Sequence, residues 1–338
     1  MKKILLASTM LVSVAGYAAA DVAVSGDARM GVVSSEGNSI FDSRVRISFS
    51  GSGTTDGGLA FGGSIRADNS GDGADGTAGS VFISGAFGKI SMGDVDSGDK
   101  AAVGQLASVG YEGVGSGNSI GYVADGGFSL DSSFGEAVGI TNTAGAKVLY
   151  TYSAGALSVS ASTAQLANSE NGDRSAYGVG ASYTTGGLTL AVGYGSSDLE
   201  IDYGPTLEGS VTDVTAAATY VMGDTTIKAI YQDKELDASY DTEYSIAGSA
   251  VSMGASVQHK MDALTLTGFA ISTKMESDLY EGESLTVSRY GIGAAYNLGG
   301  GASFAAGWAH NEAVILDGDN HIVDHGVDKF DAGVNFSF

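Results

Sequence analysis

The sequence predicts an all-β fold: a transmembrane, antiparallel, up-and-down β-barrel. Three observations carry this. After Asp21, apolar and polar residues alternate with period two almost throughout. Successive strand side chains point to opposite faces, so each run has one apolar and one polar surface. Short glycine turns alternate with longer polar connections, which describes a barrel with two unlike rims. Tyr, Phe and Trp gather at strand ends on the apolar face, where a lipid-facing surface carries its interfacial girdles. A soluble sandwich also alternates. The girdles, a polar face rich in Ser, Thr and Gly, and a strand still in phase at Phe338 favour the membrane barrel.

The elements follow in order. Lys2 and Lys3 precede a largely apolar run, Ile4 to Ala20, that ends in Ala18-Ala19-Ala20. This reads as a secretory signal peptide over 1–20, leaving 21–338 as the barrel domain. Val22, Val24, Ala28, Met30 and Val32 then share one face, with Ser25, Asp27 and Arg29 on the other. Val45, Ile47 and Phe49 alternate with Arg44, Arg46 and Ser48. Phe61 and Ile65 alternate with Ser64 and Arg66. The same phase returns at Val148-Tyr150-Tyr152, Val159-Ala161, Tyr177-Val179, Leu190-Val192, Val214-Ala216, Ile227-Tyr231, Met253-Val257, Leu264-Leu266, Tyr290-Ile292, Phe304-Trp308 and Phe330–Phe338.

Glycine marks the short turns at 85–88, 153–155, 185–187, 222–224 and 298–301, since it supplies the positive φ of tight hairpins. Long polar connections are expected at 34–42, 69–79, 165–173, 198–209, 274–284 and 311–327. The single proline, Pro205, falls in one of them, as strand ladders require. Asp94 to Gly117 has no period-two pattern and reads as a long connection, with a short helix from Lys100 to Ala107 capped by Asp99. After it, Ser119–Val123 and Phe128–Phe134 fit either an extra hairpin or excursions of that loop. The count is therefore sixteen strands or eighteen. A barrel this wide leaves an aqueous channel.

Composition narrows the function. The 338 residues include 53 Gly and no Cys, with 39 acidic against 16 basic residues and a formal charge of −23. Loss of Lys2 and Lys3 would deepen that charge by two units. Without cysteine there are no disulfides, thiolate metal sites or thiol nucleophiles. The acidic balance argues against nucleic acid, which needs basic patches. The 43% hydrophobic share is too high for a disordered acidic tail. No run after the leader approaches the ~20 apolar residues of a membrane helix. A secreted calcium-binding β-roll would need tandem nonapeptides, and the Asp-Gly pairs here are scattered. A barrel hydrolase would need a serine aimed at a histidine, and no serine motif accompanies His259 or His310. A solute-selective channel would carry aromatics inside the lumen, whereas most here have outward parity.

Particular stretches resemble the general diffusion porins of alphaproteobacterial-type Gram-negative outer membranes. Val24-Ser25-Gly26-Asp27-Ala28-Arg29-Met30-Gly31 is similar to their first strand. So are Gly58-Leu59-Ala60-Phe61-Gly62, Val81–Ile90 and Leu149–Ala156 to later segments. The resemblance implies a sixteen-stranded barrel in a homotrimer in outer-membrane lipid, open to small hydrophilic solutes and ions. It also implies a third long loop, beginning near Asp94, that folds into the lumen.

A pore's chemistry lies in its lining charges. Inward parity places Arg29, Arg44, Arg46 and Arg66 on the first three strands, and closure would make Lys329 their neighbour. The third loop supplies Asp94, Asp96, Asp99 and Glu112. The resemblance implies that these acids oppose the basic wall across a constriction. Alternatively, some of the arginines only pair with Asp27 and Asp68. The acidic excess suggests a weak cation preference. No cofactor is required. Ca²⁺ on rim carboxylates fits the pairs Asp56-Gly57, Asp72-Gly73, Asp75-Gly76 and Asp317-Gly318, which as single pairs read more simply as solvated turns. His321 and His325, flanking Asp324, have helix-face spacing in a stretch that reads as loop. Facing predicts that Val159→Lys costs about 2–4 kcal/mol and that Ser160→Lys is tolerated.

Overall fold

Period-two alternation becomes sixteen strands joined in one closed antiparallel ring. The computed structural model describes residues 21–68, 78–114, 116–125, 144–166, 175–202, 206–240, 244–278, 283–317 and 320–338. The expected leader at 1–20, Pro205, the pairs at Asp72 and Asp75, Gly318 and the segment Phe128–Phe134 lie outside these residues.

The first strands are β1 Asp21–Ser35, β2 Asn38–Thr54, β3 Ala60–Asp68, β4 Ala78–Gly85 and β5 Gly88–Gly93. A helix, α1 Gly98–Val103, and a 3-10 turn, Val123–Asp125, follow in the connection after β5. Then come β6 Ala144–Ala154, β7 Leu157–Leu166, β8 Ser175–Thr185, β9 Leu188–Asp202, β10 Thr206–Met222 and β11 Thr225–Tyr240. The ring is completed by β12 Tyr244–Met261, β13 Leu264–Ser277, β14 Glu283–Gly299, β15 Ala302–Asp317 and β16 Asn320–Ser337.

Each strand pairs with its sequence neighbours, and β1 pairs with β16. Closure satisfies every ladder and leaves no edge, the condition for a sheet inside hydrocarbon. At the seam, Gly26 N–H donates to Phe338 O at 2.6 Å and Phe338 N–H donates to Gly26 O at 3.0 Å. Gly26 leaves room for the Phe338 ring, which a Cβ there would strike.

The outward face is apolar. Val24, Val45, Phe49, Ile65, Val81, Tyr183, Leu190, Tyr220, Ile292 and Phe330 are all exposed on it. On the outer face of β14–β16 an aromatic cluster forms. The Tyr290 and Trp308 rings stand 5.7 Å apart, and Trp308 and Phe330 6.5 Å. Trp308 Nε1 donates to Asp328 at 3.1 Å, giving the ring the wet end that an interfacial tryptophan prefers.

One open count is settled and two expectations need correction. First, β5 pairs directly with β6, so no strand pair enters the ring between them and the count is the sixteen expected, the alternative of eighteen falling away. Ser119–Val123 is loop and 3-10 turn instead of strand. Second, several polar connections are mostly strand. The chain turns between Ser35 and Asn38 on Glu36 and Gly37, both at positive φ. Residues 198–209, 274–284 and 311–327 likewise carry the ends of β9, β10 and β13–β16. His325 is therefore on a strand, 3.8 Å from Glu36. Polarity marks where a hairpin leaves the membrane, not where its ladder stops. Strands of 14–18 residues exceed the ~9–11 needed to cross. Third, α1 is shorter than expected. Its N-cap is Ser97 rather than Asp99, and it ends at Gly104, whose φ of 66° suits glycine.

Candidate functional site

The connection after β5 folds inward and lies along the inner wall. Its first part, α1, packs against β6 to β10. Farther on, Tyr111 reaches β16, β1 and β2. The largest described hydrophobic cluster is formed by this contact. Val103, Leu106, Val109, Val114, Ile120 and Tyr122 of the loop meet Ala191, Ile230, Phe269, Ile271 and Ala309 of the wall.

Glycine makes the seat. Inward positions under the loop are Gly178, Gly180, Gly193, Gly195, Gly254, Gly293, Gly307 and Gly333. A Cβ at Gly180 would lie 2.5 Å from the Ala102 Cβ, one at Gly193 2.8 Å from the Asp99 Cβ, and one at Gly307 2.5 Å from the Gly110 Cα. Glycine inside a strand marks close approach of another backbone, and here the approaching backbone is the loop. Serines complete the seat. Gly98 N–H donates to Ser162 Oγ at 2.7 Å, and Ser160 Oγ donates to Gly98 O at 2.5 Å. Ser160 is thus buried under α1. The expectation that a lysine would be tolerated there is corrected: inward is not the same as open.

Polar clamps hold both ends of the loop. At its base, the Asp125 carboxylate accepts from Lys100 Nζ at 2.6 Å, from Lys147 Nζ at 2.8 Å and from Ser97 N–H at 3.1 Å. Burial alone would raise the Asp125 carboxyl; the two lysines outweigh it and hold it below the usual range. Lys228 Nζ donates to Val103 O at the end of α1, where a cation suits the helix dipole. Inside the loop, Gln105 and Ile120 exchange two hydrogen bonds at 2.8 and 2.9 Å. At the tip, the buried Asp331 accepts N–H donors from Tyr111 at 2.9 Å, Glu112 at 2.8 Å and Val114 at 3.2 Å. The Tyr111 hydroxyl donates to Asp42 at 2.5 Å.

The expected site residues divide into three groups. Arg29 is drawn into the tip clamp, 2.9 Å from Asp42 and 2.8 Å from Glu112, with its guanidinium 5.5 Å from the Tyr111 ring centre. Burial raises the Glu112 carboxyl and Arg29 only partly offsets it. Arg44, Arg46 and Arg66 stand half-buried on β2 and β3, and the charge of Arg44 reaches Glu112 at the loop's tip. Arg44 lies opposite Arg29 in register and 3.7 Å from Asp27, the alternative pairing weighed from sequence. Arg46 faces Asp68, and Arg66 faces Ser48. Lys89 extends this basic row toward the short-turn rim, its Nζ 4.6 Å from the Phe82 ring centre. Asp94 and Asp96 are exposed on the loop, with Asp96 2.8 Å from Lys100.

Two placements differ from expectation. Lys329 pairs with Ser35, while Asn335 faces Arg29. The seam's register therefore sets Lys329 six residues away from the row it was expected to join. Asp99 does not face the bore. It is 0% exposed and turned into the wall. A Cβ at Gly178 would lie 2.5 Å from its Oδ1. Asp42, Tyr111, Asp125, Lys147 and Asp331 were missed. Inward parity was the available signal for Asp42, Lys147 and Asp331; none existed for the loop residues. Among the described residues no group of three or more His, Asp and Glu side chains converges to hold a metal. His310 instead stacks beside Trp308 and bonds Asp328 at 2.9 Å.

Comparison with known proteins agrees with this geometry. A family model for Gram-negative porins matches residues 7–314. A porin of Rhodobacter capsulatus is 37% identical over 320 residues, covering 91% of this chain and 99% of its own. A porin structure refined at 1.8 Å resolution is 35% identical, covers 94% of this chain and all of its own, and superposes with a TM-score of 0.72. An anion-selective porin from Comamonas acidovorans shares the fold at 15% identity and a TM-score of 0.66, covering 95% of this chain and all of its own.

Proposed function

This chain belongs to the Gram-negative porin family, and from that premise we propose a general diffusion channel narrowed between its inserted loop and its basic wall. It is an outer-membrane channel protein. Family membership points to a channel rather than an enzyme. What it passes, and how, is the proposal: small hydrophilic solutes and ions cross passively, sorted by size and oriented by a transverse field.

The inserted loop carries this reading. It fills one side of the lumen and leaves Asp94 and Asp96 exposed on it. Arg44, Arg46 and Arg66 stand half-buried on β2 and β3. Opposite signs across a narrow aqueous gap orient dipolar solutes, and low-dielectric walls focus the field. Glu112 belongs to the constriction through its contact with Arg29. Asp99 is withdrawn from it. Calcium, if it binds, is an accessory at the rims and not a requirement.

The working assembly in this proposal is a homotrimer, supported by resemblance to porins. Single-channel recording of the refolded chain in planar bilayers tests the function. Conductance in three equal steps is the expected result; absence of conductance overturns it. The reversal potential under a salt gradient tests the weak cation preference expected from the acidic excess, and a clear anion preference refutes it.

A further inference from the structure

Beneath α1 lies a pair of carboxylates that transport does not use. Asp99, on the helix, is 0% exposed, and Asp213, on β10, is 1% exposed. Both reach the hole above Gly195: a Cβ there would strike Asp213 Oδ1 and lie 2.8 Å from Asp99 Oδ2. Asp213 is well supplied with donors. Gln232 Nε2 donates to it at 2.9 Å, the Thr215 hydroxyl at 2.9 Å and Val123 N–H at 3.1 Å. Asp99 is not: neither of its oxygens meets a donor at hydrogen-bonding geometry. The charges nearby are few. Lys234 faces Asp213 directly across β10–β11 and lies within electrostatic range of both carboxylates. Lys100, Lys147, Asp96 and Asp125 form their own cluster at the base of the loop. Lys228 is engaged at the end of α1, and the Tyr122 hydroxyl donates to Gly104 O.

Two buried carboxylates beside one cation leave one negative charge uncompensated. Like charges this close cannot both ionise without cost, and a proton on Asp99 removes that cost. We propose that Asp99 holds a proton beside Asp213, that this proton seats α1 on the glycine wall, and that its release loosens the seat and unsteadies the bore. The inference rests on the channel reading, and conductance itself tests that reading separately.

The sign follows from burial. Burial is the main cause that pushes the Asp99 carboxyl up to about 6, with the charge of Asp213 adding to it; the dipoles of the Ser97 hydroxyl and the helix N–H groups, near but outside hydrogen-bonding geometry, oppose it only in part. A group raised above its ordinary 3.8 binds its proton more tightly in the seated state. Its contribution is full at low pH and is lost as pH rises through about 6. Asp125, held low, works in the opposite sense and loses its clamp as pH falls.

The experiment is single-channel recording of the refolded full chain between about pH 5 and about pH 7.5, a span that brackets the titration. In the wild type, brief conductance fluctuations become several-fold more frequent as pH rises. Asp99→Asn and Asp213→Asn each keep the shape, remove the second charge and abolish the step. If one of them fails to refold, judged by heat-shifted electrophoretic mobility, the other carries the reading. Glu112→Gln retains the step, because the tip clamp titrates independently of the seat. A wild type without the step, a step surviving in a folded asparagine variant, or its loss in Glu112→Gln overturns the proposal.

Discussion

The inner wall has two regions built on opposite rules. Under the loop it is largely glycine, serine and a few buried apolar side chains, with α1 on Gly180 and Gly193 and the tip on Gly307 and Gly333, and its charged groups Lys147, Lys228, Asp213 and Asp331 are each bonded to the loop. From β2 to β5 it carries Arg44, Arg46, Arg66 and Lys89, with Ser64 and Ser80 between them. The covered region works by what it lacks, since missing side chains give the loop its bed. The open region works by what it displays to water. The same parity therefore means different things in different strands, and a position's tolerance depends on the region it faces.

The sharpest break in that comparison is a lysine on each region. Ser160→Lys buries a charge against Gly98 O and should cost more than about 3 kcal/mol. Ser64→Lys, exposed on the open wall, should stay within about 0.5 kcal/mol. Urea refolding of the two variants measures the difference, and equal costs would erase the distinction between regions. Next comes Val159→Lys, one residue from Ser160 but on the outer face, expected to cost about 2–4 kcal/mol near mid-membrane. Gly307→Leu follows. It overpacks the bed under Gly110, should cost about 1–3 kcal/mol, and should raise conductance by displacing the tip. A variant with unchanged conductance would mean the loop has another place to lie. The smallest effect on stability is expected for Arg66→Gln, within about 0.5 kcal/mol, with a reversal potential shifted toward cations. No shift would remove Arg66 from the field.

Much of the fold was legible. Strand phase depends on neighbours two residues apart, so Val45-Ile47-Phe49 and Arg44-Arg46-Ser48 declare their faces locally. What could not be read depends on distant partners. Lys329 carries the right parity, but only the seam's register decides that Asn335 and not Lys329 meets Arg29. Asp99 sits on a single helical turn with no periodicity to show which side faces the wall; its counterpart, Asp213, arrives with β10. Asp331 looks like any inward acid. Its role appears only when Tyr111, Glu112 and Val114 turn their N–H groups toward it. The overlong strands were hidden for another reason: polar residues in a hairpin above the membrane keep their ladder.

The seam carries a consequence for how the chain assembles. Gly26 and Phe338 bond each other's backbones, so the ladder that closes the ring joins its first strand to its sixteenth. Contacts of such separation are slow to form, because loop closure must precede their reward. Until this ladder forms, β1 and β16 are open edges with unpaired N–H and C=O groups. Barrel formation is therefore gated by the β1–β16 ladder. Deleting Phe338 alone should slow refolding far more than it lowers the stability of the finished barrel, and it should lengthen the life of a species prone to edge-to-edge pairing.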